Sequence, residues 1–208
     1  GVAVITERGT VRGRRAIIAI PPALAGRIEY EPGLSADRDQ LTQAVPMGSV
    51  MKFFAFYSTP FWRSAGLNAQ AVSTKGRVFA TFDNTHPDGK MGALLGFAVG
   101  PRAEELRRLS AEERRRVVLD QLRRLFGPEA ATPVDFVEHS WAEEPWARGG
   151  YLGYLGPGVW TTLGPALRRP EGRLHWAGTE TAREWNGYIE GAIESGERAA
   201  GEVLAGGA

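Results

Sequence analysis

Residues 187–204, GYIEGAIESGERAAGEVL, constrain this chain more than any other stretch. The spacing predicts an α-helix, with Ile189, Ile193, Ala200, Val203 and Leu204 tracing an apolar face. Beside that face runs a line of small residues, Gly187, Gly191, Ala192, Gly196 and Ala199. Each glycine inside a helix costs about 1 kcal/mol relative to alanine, so several together need a reason. Close approach of another backbone or of a flat ligand is one such reason, and tight packing on a sheet is the other. A helix start also carries unpaired N–H groups and a positive dipole end, which suit a carbonyl oxygen, an anionic ring or a phosphate.

The 208 residues suffice for one large domain or two modest ones with a buried core. With 25 basic against 24 acidic residues, the net charge of +1 gives no sign of a nucleic-acid partner. The absence of cysteine excludes disulfides, thiol nucleophiles and thiolate metal sites. His86, His139 and His175 lie far apart in sequence, so no metal site is expected. No apolar run approaches the roughly 20 residues needed to span a bilayer, and GVAVITERGTVRGRR lacks a signal-peptide layout, so a cytoplasmic location and no membrane partner are expected.

Local patterns give an α+β chain with an antiparallel sheet in the middle. An opening hairpin leads to Ala16–Ile20, an apolar run expected to be a strand covered on both faces and stopped by Pro21-Pro22. In GSVMKFFAFYSTPFW, Met51, Phe53, Ala55 and Tyr57 share one face; Lys52 is the single charge on the other, with Val50, Phe54 and Phe56. Further strands are expected at 70–73, 77–82, 93–99 and 133–141, and a short one in RLHWAGTE. Helices are expected at 102–109 and, from the capping box Ser110-Ala111-Glu112-Glu113, up to Phe126 before Gly127-Pro128.

AGTETAREWNGYIEGAIESGERAAGEVL closely resembles the closing segment of FAD-dependent amine oxidases of the monoamine oxidase type. AIIAIPPALAGRIEYEPGL, VPMGSVMKFFAFYSTPFWR, SAEERRRVVLDQLRRLFG and WAEEPWARGGY resemble further segments of that family, in its order. The resemblance covers nearly the whole chain but only the second half of such an oxidase. It lacks the GxGxxG strand–helix unit, which GGYLGYLGPG does not supply.

The resemblance implies a mixed-sheet substrate-binding domain at 42–146. Residues 1–41 and 147–208 would be parts of a Rossmann-like FAD-binding domain. It implies oxidation of a small amine by FAD and O2, giving hydrogen peroxide. FAD would be held noncovalently, since Gly149-Gly150 is followed by Tyr151 where relatives carry Cys-Tyr. Backbone amides of Tyr188 and Ile189, after Gly187, would face the pyrimidine end of the flavin. Gly178, Thr179 and Glu180 would lie by the ribityl and phosphate portion. Lys52 would hold a water near flavin N5. Tyr188 and either Tyr151 or Tyr154, with Tyr151 favoured, would wall an aromatic cage. Phe54, Phe56 and Leu155 would line the cavity, and Trp146 would pack or line it.

A desaturase or protoporphyrinogen-type oxidase is the alternative within the superfamily, and a non-catalytic fragment or subunit is the alternative outside it. An exposed apolar patch left by the missing half would favour self-association or pairing with that half.

Overall fold

The computed structural model describes residues 1–206. The described chain divides into two compact units, one comprising residues 1–47 with the segment from Tyr151 onward, the other residues 48–150. Helix and sheet are mixed, and none of the three sheets closes into a barrel.

The chain runs β1 (Val2–Thr6), β2 (Gly9–Gly13), β3 (Ala16–Ile18), α1 (Pro22–Ala25), α2 (Ala36–Ala44), β4 (Val50–Tyr57) and α3 (Phe61–Ser64). It continues with β5 (Ala71–Val72), β6 (Ala80–Asp83), β7 (Gly92–Val99), α4 (Pro101–Arg107) and α5 (Ala111–Phe126). The remainder is β8 (Asp135–Ser140), α6 (Val159–Leu163), β9 (Leu174–Trp176) and α7 (Ile189–Ala205), with short 3-10 turns between elements.

In the unit of residues 48–150, a five-stranded antiparallel sheet has the order β5-β6-β7-β4-β8. The two-residue alternation of β4 buries Met51, Phe53, Ala55 and Tyr57 on one face, against Trp62, Leu94, Val118, Leu119 and Leu122. Helix α5 supplies three of these residues. Both capping-box bonds form: Glu113 N–H donates to Ser110 Oγ, and Ser110 N–H donates to the Glu113 carboxylate at 2.9 Å. Glu138 of β8 lies on the same side of the sheet as Phe53, its register partner, where its charge is matched by Arg114 of α5.

The unit containing both ends of the chain holds two small sheets. Strands β1 and β2 form a hairpin in which nearly every residue is exposed. Strand β3 pairs in parallel with β9, joining Ile17 to His175 and Ile18 to Trp176. The expectation of a strand covered on both faces over Ala16–Ile20 is corrected here. The strand is three residues long, and Ile17 and Ile20 are exposed, because β9 is its only strand neighbour among the described residues.

Helix α2 follows a Ser35 cap and has no strong apolar stripe to announce it. It is held by Leu41, packed with Val45, Ala166 and Leu167, and by Arg38. The Arg38 guanidinium lies 3.5 Å over the Trp176 ring and donates to the carbonyls of Ala166 and Leu167 at 3.0 and 3.2 Å. Burial lowers its pKa to about 10, against opposing attraction from Tyr30 and Glu171.

Helix α7 is oriented opposite to its apolar pattern. Gly191, Ser195 and Ala199 are buried, while Ile189, Ile193 and Leu204 are exposed. Gly191 and Ala199 of the small-residue line, with Ser195, therefore make the contact within the described chain, while Ala192 is exposed; at Gly191 only a residue without a Cβ lets the neighbouring backbone come so close.

Candidate functional site

The loop leading into α7 is organised by side chains that bond to backbone. Strand β9 delivers Ala177 and Gly178, whose φ of +104° favours glycine. Gly178 N–H donates to Ser195 Oγ at 3.0 Å, and that hydroxyl donates to the Ala192 carbonyl at 2.8 Å. One helix residue thereby ties the end of the strand to the first turns of α7. Thr179 Oγ1 accepts from Gly187 N–H at 2.6 Å and donates to the Tyr188 carbonyl at 3.1 Å. Asn186 Nδ2 donates to the carbonyls of Thr179 and Ala182 at 2.9 and 3.1 Å.

Glu180 is buried, and its Oε1 accepts from Gly153 N–H at 2.8 Å. Gly153 is itself constrained: a Cβ there would lie 2.5 Å from Val45 Cγ1. The side chains of both Thr179 and Glu180 thus bond to backbone of their own unit.

Further along the loop Trp185 adopts φ +57°, a left-handed conformation that costs a bulky residue about 1–3 kcal/mol. Its carbonyl accepts from Tyr188 N–H at 3.0 Å. A Cβ on Gly191 would stand 2.3 Å from that carbonyl oxygen, so this helix glycine exists for close backbone approach. Gly196 and Gly201 have nothing within 4 Å of a built Cβ.

Helix α7 begins at Ile189, two residues beyond Gly187, whose φ of +85° is not helical. No side chain caps its N-terminus. Tyr188 is 65% exposed and Ile189 is 82% exposed. The Trp185 and Tyr188 rings meet edge to face at 5.8 Å.

Beneath the loop, Arg198 donates to the Trp176 carbonyl at 2.7 Å, to Thr181 Oγ1 at 3.0 Å and to Glu202 at 2.6 Å. Buried His175 places Nδ1 3.0 Å from Glu202. Burial would raise the Glu202 pKa, but the bonds from His175 and Arg198 outweigh it and hold the carboxyl below its ordinary value.

Tyr151 and Tyr154 are both exposed. Burial of part of the Tyr151 ring raises its phenol pKa, and Tyr154 N–H donates to the Pro46 carbonyl at 2.7 Å. Leu155 packs on the Leu41 cluster.

In the other unit, Lys52 is half-buried on β4, in register with Phe97 on one side and His139 on the other, with Nζ 5.5 Å from the Phe97 ring centre. Phe54 and Phe56 follow on the same face, stacked at 6.3 Å. Trp146 is 88% exposed, so of the two expected roles, packing or lining the cavity, it does not pack within the described chain.

Sequence reasoning missed Asn186, Ser195, Arg198 and Trp185. The signal for Ser195 was a polar residue in the middle of the small-residue line; Asn186 and Trp185 precede the glycine before the helix, where positive φ and backbone-bonding side chains concentrate. Arg198 gave only the local signal of Glu202 four residues on in the same helix, since its other partners, Trp176 and Thr181, come from separate segments. No group of histidine and acidic residues able to hold a metal occurs among the described residues.

A positive, uncapped helix end presented by exposed residues on a loop held by several side-chain bonds suits an anionic ring or a phosphate. Residues 1–204 match the family described as flavin containing amine oxidoreductase, and the chain belongs to it. It is 49% identical over 199 residues to a Dictyostelium discoideum protein named "Probable flavin-containing monoamine oxidase A", covering 95% of this chain and 44% of that one. It is 43% identical over 204 residues to an L-amino acid dehydrogenase of Synechocystis, covering 98% of this chain and 43% of the other. The structure of cyclohexylamine oxidase from Brevibacterium oxydans matches with a TM-score of 0.93 at 36% identity, over 98% of this chain and 45% of that one. The chain thus spans less than half the length of these relatives.

Proposed function

We propose that this chain is the amine- and flavin-facing portion of an oxidase that converts a small amine to an imine, which water hydrolyses to an aldehyde and ammonia or a smaller amine. The observation that carries the reading is the N-terminal end of α7. No side chain caps it, its flanking Tyr188 and Ile189 are exposed, and the loop before it is fixed by Thr179, Asn186 and Ser195. These residues fit the pyrimidine edge of a flavin, which gains negative charge on reduction. FAD, when bound, accepts hydride from the amine α-carbon and is reoxidised by O2 to give hydrogen peroxide.

The amide of Ile189 orients the ring edge and stabilises charge there, while the Tyr188 N–H, bonded to the Trp185 carbonyl, holds the turn that Gly187 makes possible. The segment Gly178-Thr179-Glu180 offers backbone to the ribityl and phosphate portion, its side chains holding the loop. Lys52, with an apolar strand face around it, positions a water by its ammonium group. Tyr188 presents an aromatic face that attracts the ammonium form of the amine on approach, with Tyr151 as the facing ring. Binding is noncovalent, since the chain has no cysteine.

Residues 1–41 and 147–208 are read as parts of a Rossmann-like cofactor domain, and 42–146 as the substrate domain. Pairing with the remaining length of the oxidase is part of this proposal. Exposed Ile17, Ile20, Ile189, Ile193 and Leu204 support it.

The test is an absorbance spectrum of the purified chain, alone and with excess FAD, followed by amine-dependent peroxide release in the oxidase that contains it. Perturbed flavin bands with amine-dependent peroxide support the reading. Bound flavin that no amine reduces refutes the amine chemistry, and an oxidase unaffected by Tyr188→Leu refutes the site.

A further inference from the structure

From the loop before α7 we infer that Trp185 is a positioning residue for Tyr188, fixing the plane of that ring so that its face meets the amine. The inference rests on the amine-facing role of Tyr188 proposed above. Trp185 is 62% exposed, so core packing does not explain a large aromatic residue there. Its φ of +57° is one that glycine adopts freely and tryptophan resists. A strained exposed residue persists only where its surroundings over-determine it.

Here they do. Asn186 Nδ2 bonds the carbonyls of Thr179 and Ala182, Gly187 N–H bonds Thr179 Oγ1, and Arg183 N–H bonds the Glu194 carboxylate at 2.9 Å. Tyr188 N–H bonds the Trp185 carbonyl itself, and Gly191 leaves room for that carbonyl at a distance no Cβ would tolerate. What this arrangement delivers, beside that bond, is a ring contact: Trp185 and Tyr188 set edge to face, 5.8 Å between centres and 86° between planes. That geometry is a favoured one for aromatic pairs and blocks rotation of the tyrosine about its χ angles on that side. Tyr188 is the N-cap of α7 and has no side-chain capping bond to hold it. The ring would otherwise be free to leave the plane in which it meets a substrate.

The experiment uses the chain with ring-13C-labelled tyrosine. It has five tyrosines, and the Tyr188 signals are assigned by their disappearance in Tyr188→Phe. In Trp185→Gly, which relieves the backbone while removing the ring, the ring-current shift of Tyr188 is lost and the melting temperature does not fall. Trp185→Phe retains part of the shift. Unchanged Tyr188 signals in Trp185→Gly overturn the inference, as does a loss of shift that accompanies global destabilisation in both variants.

In the flavin-loaded oxidase containing this chain, Trp185→Gly raises the amine KM about tenfold, with a smaller effect on kcat. A loosened Tyr188 ring with unchanged KM also overturns the inference, provided Tyr188→Leu impairs turnover. If Tyr188→Leu is itself without effect, the proposed site is wrong, and the spectra alone decide whether Trp185 orients the ring.

Discussion

Helix α7 contains glycines of two physical kinds, and replacing each with alanine separates them. Alanine in a helix interior is worth about 1 kcal/mol over glycine. At Gly196 a Cβ meets nothing within 4 Å, so this gain stands, and the melting temperature rises by about 2–4 °C. At Gly191 the added Cβ lies 2.3 Å from the Trp185 oxygen, 2.8 Å from its carbonyl carbon and 3.0 Å from the Glu184 oxygen. All three are backbone atoms, so no rotamer change relieves the clash.

The Glu184–Trp185 backbone must move, which strains or breaks the Tyr188 N–H bond to Trp185. Overpacking of this kind costs roughly 1–3 kcal/mol and the lost bond about 1 more, against the helix gain of about 1. Gly191→Ala therefore loses about 1–3 kcal/mol net and sits about 2–4 kcal/mol below Gly196→Ala. Urea unfolding followed by circular dichroism measures both, and amide exchange at Tyr188 reports the local bond. A Gly191→Ala chain as stable as Gly196→Ala, with Tyr188 protection intact, would refute the close-approach argument.

Two further outcomes follow from the buried carboxylate of Glu180 and the partly buried one of Glu202. Glu180→Ala leaves the Gly153 N–H without its acceptor and costs about 1–3 kcal/mol, whereas Glu180→Gln, which keeps an oxygen acceptor, costs less; urea midpoints distinguish them. Glu202 has a depressed pKa in the folded chain, so its stabilisation is fully present above the ordinary carboxylate value of 4.5 and is lost as pH falls through the folded value. Glu202→Gln is accordingly less stable than the parent at pH 7, and the gap closes on acidification below about 4.5; a gap constant from pH 7 to pH 3 would contradict the linkage.

What the sequence determined by itself was local. The Ser110 capping box, the alternation along β4 and the Gly127-Pro128 stop depend on residues within a few positions of one another, and each forms as its pattern requires. The family, too, was legible, because its closing motif is contiguous.

Tertiary structure decided the rest. Helix α2 carries too few apolar residues to declare itself and is fixed by Arg38 against Trp176 and by Leu41, contacts made across more than a hundred residues. The buried side of α7 went to Gly191, Ser195 and Ala199 rather than to Ile189, Ile193 and Leu204, because backbone at Glu184–Trp185 presses against Gly191. Thr179 and Glu180 bond to backbone at Gly187 and Gly153. Hydrophobic period says which residues could face inward, but which stripe does so depends on what comes near, and that is set by segments the local pattern does not contain.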